Sequence, residues 1–198
     1  MKLEELNVKE YWTERYVADH TPWDIGYASP PLTGYFQKLR NRSQRILIPG
    51  AGRAHEAKWL WKNGFKNVYV LDIAAPALGK LKDLIPDFPQ EHLIEQNFFE
   101  HRGQYDLIVE QTFFCALAPE LRPAYAEKTF ELLKPGARLM GVLFDFPLSA
   151  EGPPFGGSLD AYRKLFAQRF KIHRLERCYN SIKPRRGKEL FLNLIKPA

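Results

Sequence analysis

Apolar residues recur along this chain in short blocks, separated by polar breaks that glycine or proline marks, and blocks of two kinds alternate. Arg45 to Ile48 and Val68 to Leu71 are short continuous apolar runs, the mark of strands buried on both faces. Between them Ala54 to Asn63 carries apolar residues at helical spacing and stops at Gly64. Ala74 to Leu84 reads as a helix ended by Pro86 to Pro89, His92 to Glu95 as a short strand, and Tyr105 to Glu110 as a buried one. Pro119 to Leu133 is predicted helical and closed by Lys134-Pro135-Gly136, Arg138 to Phe144 is a strand, and Ser158 to Gln168 is the last helix. Two closing strands, about Lys171 to Cys178 and Leu190 to Lys196, are joined by a basic loop instead of a helix, so they should pair antiparallel.

Ahead of this alternation lie two helices. Leu3 to about Ala18 puts Tyr11-Trp12 and Tyr16 on one face, and Thr21-Pro22 breaks it. Ser29-Pro30-Pro31 caps a second helix that should run to about Arg40. Residues 1–42 are too short and too aromatic for a separate domain and are expected to lie as a helical cover over the mouth of the core. Alternating strand and helix predicts an α/β fold: a mostly parallel, seven-stranded sheet with an antiparallel last strand and helices on both faces, formed as one domain from residues 1–198.

Composition narrows the function classes. The chain has 198 residues, 45% of them hydrophobic, enough for one sizeable core. No apolar run approaches the ~20 residues needed to span a bilayer, and the N-terminus lacks a signal-peptide segment, so a cytoplasmic protein without a membrane partner is expected. The only cysteines, Cys115 and Cys178, lack metal-ligand spacing, which argues against a metal site and for reduced thiols. A formal net charge of +6 would suit an anionic partner such as nucleic acid. The basic residues are dispersed except at Lys183 to Lys188, however, and a solvated basic surface accounts for them better.

The candidate chemistry centres on Arg45 to Asp72. Gly50-Ala51-Gly52 between a strand and a helix is the turn at which backbone approaches a ligand, and Asp72 stands twenty residues after Gly52 at the end of the next strand. A carboxylate there accepts from ribose hydroxyls, and both NAD and S-adenosylmethionine satisfy that arrangement. His55 occupies the place of the third glycine of the dinucleotide fingerprint, which counts against a pyrophosphate. Asn97-Phe98-Phe99 follows the third strand, where an adenine would lie, and Glu110-Gln111 closes the fourth, beside the expected methionine and methyl group. The Lys134-Pro135-Gly136 turn and the final hairpin favour S-adenosylmethionine, since a doubly wound sheet with a reversed last strand is, by fold analogy, the class I Rossmann-like methyltransferase architecture.

Longer matches sharpen this. Trp12 with Tyr16, Thr21-Pro22-Trp23-Asp24, Pro49-Gly50-Ala51-Gly52 with His55-Glu56, Leu71-Asp72-Ile73, Phe98-Phe99, Phe114-Cys115-Ala116, Arg122-Pro123-Ala124, Leu132 to Pro135 and Gly152-Pro153-Pro154-Phe155 occur in that order. Together they resemble the thiopurine S-methyltransferase superfamily, most of all its halide/thiol methyltransferase (harmless-to-ozone-layer) branch, over about Tyr11 to Lys188. The resemblance implies S-adenosyl-L-methionine as cofactor and S-adenosyl-L-homocysteine as product. It implies cofactor contacts from Trp12, Tyr16, Trp23, Gly50, Ala51, Gly52, Asp72, Ile73, Asn97, Phe98, Phe99 and Glu110. It also implies acceptor contacts from Trp23, Asp24, Gln111, Phe144 and Phe155. The chain departs from the branch where Tyr16 replaces a tryptophan, Asn97 an aspartate, and Phe144 a tyrosine near the transferred methyl. Gln111 stands where the thiopurine branch has an arginine.

Methyl transfer is an in-line displacement, in which the protein mainly aligns donor and nucleophile in a dry site. A thiol is partly thiolate near neutrality and a halide needs no base, so no catalytic triad is required. Asp24, Phe144 and Asp145 are the candidates for a catalytic role, and His20 and Tyr27 could help position a substrate. The expected reaction is methyl transfer to a small-molecule soft nucleophile: a thiol, thiocyanate or halide. Another small-molecule or nucleic-acid methyltransferase and a non-catalytic S-adenosylmethionine-binding protein are the alternatives.

Overall fold

The computed structural model describes residues 8–148 and 151–198, so the first residues of the expected leading helix, 3–7, lie outside it. After α1 (Val8–Val17) and α2 (Pro30–Phe36) come β1 (Ile46–Pro49), α3 (His55–Lys62), β2 (Val68–Asp72), α4 (Ala75–Leu84), β3 (Leu93–Glu95) and β4 (Tyr105–Gln111). Then follow α5 (Arg122–Leu132), β5 (Leu133–Phe144), α6 (Leu159–Phe166), β6 (Lys171–Arg177) and β7 (Glu189–Ile195). The strands form one seven-stranded sheet in the order β3-β2-β1-β4-β5-β7-β6. β1 to β5 are parallel, and β7 runs antiparallel between β5 and β6. The strand order reverses between β1 and β4, and a ligand crevice of a doubly wound sheet opens at the carboxyl ends beside such a reversal.

Each face of the sheet carries its own core, divided by the two-residue period of a strand. Ile46 and Ile48 point to the face packed by Leu32 and Phe36 of α2, Leu60 of α3 and Leu81 of α4. Leu47 points to the other face, with Tyr125 of α5 and Tyr162 and Phe166 of α6. With helices on both sides, β1 has no solvent face and all four of its residues are buried, which is why its sequence does not alternate.

Three elements differ from expectation, each for a local reason. α2 ends at Phe36 instead of Arg40, and because Leu32 and Phe36 are fully buried it belongs to the core layer. The cover is therefore α1 and the segment that follows it. The helix expected from Pro119 begins at Arg122, after a single tight turn at Pro119–Leu121, with Pro123 in its first turn. Lys134-Pro135-Gly136 does not separate helix from strand. β5 already starts at Leu133, and the run forms an irregularity in its pairing with β4, with Gly136 at φ +75.

Two contacts seat the leading segment. Glu56, in the first turn of α3, is buried and accepts the Ser29 N–H at 2.9 Å, which fixes where α2 starts. α1 packs along α4 and reaches the end of β3 through Lys9 Nζ to Glu95 Oε1 at 2.6 Å. α1 itself buries no residue completely, as befits a helix laid on the outside.

Candidate active site

The chain leaves β1 through Gly50 (φ +57) and Gly52 (φ +53), a conformation that favours glycine. Space demands glycine as well. A Cβ on Gly50 would stand 2.2 Å from the Phe113 ring, and one on Gly52 would stand 2.8 Å from the Tyr16 hydroxyl. The turn is tied to β2: Gly52 N–H donates to Asp72 Oδ2 at 3.0 Å, and Ala51 N–H to Leu71 O at 3.3 Å. Asp72 Oδ1 accepts the Ala74 N–H at 3.0 Å, so the carboxylate clamps the turn after β1 to the start of α4. Burial pushes its pKa up, against the opposing pull of the Ala74, Gly52 and Ile73 N–H groups. A carboxylate offers about four lone-pair positions, so spare acceptor capacity remains after these backbone bonds.

Over the turn lies an aromatic group. Trp12 and Tyr16 from α1 both stand edge-to-face on Trp23, at 5.4 and 6.0 Å between centroids. Burial, and then the nearby Asp72 charge, push the Tyr16 phenol well above its ordinary pKa, so it stays protonated. Asp24 is a tether in this structure. Its Oδ1 lies 2.8 Å from His55 Nε2 and accepts the Gly26 N–H at 2.7 Å, while Oδ2 lies 3.1 Å from Arg53 Nε. Arg53 also pairs with Asp19. His55, standing in the third glycine's place, thereby locks the cover to the start of α3. Tyr27 is exposed, and His20 faces Arg15.

The segments after β3 and β4 divide their roles differently from expectation. Asn97 Oδ1 accepts the Phe99 N–H at 3.1 Å, and Phe98 is buried, stacked on Tyr125 at 5.5 Å and edge-on to Phe113 at 5.2 Å. Phe99 instead lines an open groove of about 810 Å³ with Arg45, Arg102, Gln104 and Lys128, near the residues that precede β1 and β4. That groove is larger than the cavity at the carboxyl edge, yet none of Gly50, Asp72, Gln111 or Phe144 lines it, so volume is a poor guide to the chemistry here. Glu110, expected beside the methyl donor, is wholly buried: Oε1 accepts the Phe113 and Phe114 N–H groups, both at 2.9 Å, and Oε2 accepts the Tyr125 hydroxyl at 2.7 Å. Burial pushes it up to about 7. Glu110 thus shapes the loop that carries Gln111, Thr112 (φ +58) and Phe113. Phe113, unremarked in the sequence, is the ring that closes on Gly50.

At the carboxyl ends of β4 and β5, Gln111, Thr112, Cys115, Val142, Phe144 and Glu189 enclose a cavity of about 10 Å³. Burial, followed by the Glu110 charge, pushes the Cys115 thiol far up, so it remains a thiol. Phe155 is buried, its N–H donating to Cys115 O at 2.7 Å, and Arg122 holds the same segment by donating to Gly156 O at 2.8 Å. Asp145 pairs with Arg177 at 2.9 Å. The residue that sequence reasoning missed is Arg185. Its basic run suggests a solvated loop, but Arg185 points inward: Nη2 donates to Trp23 O at 2.6 Å, Nη1 lies 3.5 Å from Glu189 Oε1, and the guanidinium sits 5.4 Å from the Phe144 ring. Topology held the signal, because an antiparallel β7 must start at the edge where β5 ends, which brings the preceding loop to the site.

The geometry agrees with what comparison shows. The thiopurine S-methyltransferase (TPMT) family model matches residues 7–195. Thiocyanate methyltransferase 1 of Arabidopsis thaliana is 29% identical over 184 residues, 90% of this chain and 81% of that one. Probable thiol methyltransferase 2 of the same plant is 30% identical over 159 residues, 78% of this chain and 70% of that one. Among solved structures, Burkholderia thailandensis 1,6-didemethyltoxoflavin-N1-methyltransferase, with bound 1,6-didemethyltoxoflavin and S-adenosylhomocysteine, shares the fold. It superposes at a TM-score of 0.78 with 18% identity over 96% of this chain and 88% of that one. With a family model spanning nearly its whole length, the chain belongs to the thiopurine S-methyltransferase family and is an S-adenosylmethionine-dependent methyltransferase.

Proposed function

We propose that this enzyme methylates a small soft nucleophile, a thiol, thiocyanate or halide, by in-line displacement. The observation that carries the reading is the aromatic group of Trp12, Tyr16 and Trp23 lying directly on the glycine turn, with the Tyr16 hydroxyl against Gly52. Bound between them, S-adenosylmethionine supplies an electrophilic methyl carbon on a sulfonium. Indole and phenol faces attract such a cation by about 0.5–2 kcal/mol each. Asp72 uses its spare lone pairs for the ribose hydroxyls, Asn97 keeps its amide NH₂ for an adenine ring nitrogen, and Phe98 with Phe113 forms an apolar floor. Glu110 acts through the loop it shapes.

The acceptor enters from the side of Gln111, Phe144 and Phe155. Asp24 and Asp145 are each engaged in ion pairs, which suits a nucleophile that requires little base assistance. Calorimetric titration with S-adenosylhomocysteine should give micromolar-range binding. Incubation with a labelled methyl donor should then label at least one of a panel of thiols, thiocyanate and iodide. Cofactor binding without any labelled product across that panel would overturn the proposal.

A further inference from the structure

The open groove of about 810 Å³ at the residues leading into β1 and β4 takes no part in the methyl-transfer reading, yet two of its cations lack acidic partners. Arg45 lays its guanidinium over two rings, 4.6 Å from the Tyr69 centroid and 4.9 Å from that of Tyr105, which hold the cation in place. Its Nε is buried without a hydrogen-bond partner, and its side chain forms no ion pair among the described residues. Asp106 accepts the Arg45 backbone N–H at 2.8 Å, and its other oxygen pairs with Lys134 at 2.8 Å. Arg102, exposed on the groove, forms no ion pair among the described residues either. Lys128 pairs with Glu131 at 2.9 Å and donates to His101 O at 3.3 Å. Burial, and then the charges of Lys128 and Arg45, push His101 below its ordinary pKa, so the positive potential reaches that ring. Acceptors line the groove as well. Gln104 spends its NH₂ on Gly103 O and Glu131 O, at 3.1 and 2.9 Å, which leaves its carbonyl oxygen beside the Glu100 carboxylate. Phe99 adds a half-buried ring that crosses Phe98 at 5.5 Å and 75°.

We infer that this groove is a second binding site, for a nucleoside 5′-monophosphate, and that its occupancy is coupled to the cofactor seat; the coupling, though not the site, rests on the methyl-transfer reading above. The phosphate brings about two negative charges and takes the Arg45 and Arg102 guanidinium groups, whose planar forks match phosphate oxygens. Inorganic phosphate alone would leave the Gln104 carbonyl unused and face the Glu100 carboxylate, whereas a ribose supplies hydroxyl donors to both. A base then stacks on Phe99, as bases do on exposed aromatic rings. The volume falls within the ~300–1,000 Å³ of small-molecule sites. Coupling runs along residues 96–101, which connect the Asp72 side of the sheet to the groove. Gln96 N–H donates to Asp72 O at 3.1 Å, and His101 Nδ1 lies 2.9 Å from Gln96 Oε1. Asn97 Oδ1 accepts the Phe99 N–H at 3.1 Å, and Asn97 O accepts the Glu100 N–H at 3.0 Å. A ligand that holds Phe99 and Glu100 therefore also holds Asn97, whose amide the proposed function gives to the adenine. Linkage makes the effect mutual: each ligand tightens the other by the same factor.

The experiment titrates guanosine 5′-monophosphate by calorimetry into the full chain saturated with S-adenosylhomocysteine, so that the cofactor seat is filled. Binding with a Kd below about 1 mM is expected, with guanosine and inorganic phosphate each at least tenfold weaker. Absence of binding, or inorganic phosphate binding as tightly as the nucleotide, overturns the inference. Binding that appears only without S-adenosylhomocysteine places the nucleotide in the cofactor seat and overturns it as well. Arg102→Ala changes an exposed side chain and should weaken the nucleotide at least fivefold. Arg45→Met, checked for folding by its melting curve, should do the same, and wild-type affinity in both variants refutes the assigned site. In the reverse titration, saturating nucleotide should tighten S-adenosylhomocysteine severalfold; an unchanged Kd overturns the coupling. If S-adenosylhomocysteine itself does not bind, the methyl-transfer reading fails instead, and the two arginine variants still test the groove with nucleotide alone.

Discussion

The two halves of the crevice are built from different materials. The half that the proposed function gives to the donor starts from backbone: two glycines in left-handed conformation, and one carboxylate held by the N–H groups of Gly52 and Ala74. These come from a single strand-turn-helix-strand stretch, over which the Trp12, Tyr16 and Trp23 side chains lie. The half that the proposed function gives to the acceptor is side chain, with Gln111 from β4, Phe144 from β5, Arg185 from the last loop and Glu189 from β7. A backbone seat admits few substitutions, whereas four side chains on separate elements can be exchanged one at a time. On the proposed reading, geometry fixes cofactor identity and composition fixes acceptor identity.

Variants should separate these halves. The largest effect is expected from Arg185→Met, which leaves Glu189 buried without its partner and frees the Trp23 carbonyl. Breaking a buried pair in this way costs roughly 3–5 kcal/mol, read as a fall in denaturant midpoint. Adding Glu189→Gln should restore part of the loss, and a single variant as stable as wild type would show that the acceptor half does not support the fold. Next comes Glu110, whose loop serves both halves. Its folded pKa of about 7 stands above the 4.5 of an unburied glutamate, so between these values the folded protein keeps a proton that the unfolded chain has released. Stability from this group is present below about pH 4.5 and is lost as pH rises through 7, by roughly 3 kcal/mol in all. Glu110→Gln should therefore melt with a flatter pH dependence and gain on wild type above pH 7. Glu56 and Asp72, raised by burial as well, leave a residual slope of the same sign.

Asp72→Ala should weaken S-adenosylhomocysteine binding by tenfold or more, given about 1.5–3 kcal/mol for hydrogen bonds to a charged group. It should leave the ranking of acceptors unaltered, and calorimetry with both measurements in hand decides whether the halves are separable. The smallest effect is expected from Asp24→Asn, which loosens the cover from Arg53 and His55. About 1 kcal/mol for a partly exposed pair corresponds to a several-fold faster release of S-adenosylhomocysteine in stopped-flow fluorescence of Trp12 and Trp23. An unchanged release rate would mean that the tether does not govern the cover.

Legibility in the sequence followed the same division. Strands buried on both faces announce themselves as apolar runs, so all seven were placed to within a few residues except the start of β5, and the glycine turn with Asp72 could be read because spacing alone defines it. Side-chain direction could not be read. Phe98 and Phe99 are identical in type and adjacent, yet one packs on Tyr125 and the other lines the groove beside Arg45. Asp24 and Glu110 have the residue type of ligand-binding acids, but tertiary neighbours claim their oxygens. Charge misled at Lys183 to Lys188, where a basic run hides one inward arginine, because burial of a guanidinium depends on a carboxylate supplied by the following strand.

The antiparallel placement of β7 has an evolutionary corollary. By returning the loop before β7 to the working edge, it gathers Arg185 and Glu189 into one short contiguous piece of gene, remote from the segment encoding the glycine turn and Asp72. Exchange of that piece between relatives by recombination would replace Arg185 and Glu189 together, leaving the glycine turn, Asp72 and the sheet order untouched. On the proposed reading, such an exchange retunes one part of the acceptor side in a single step.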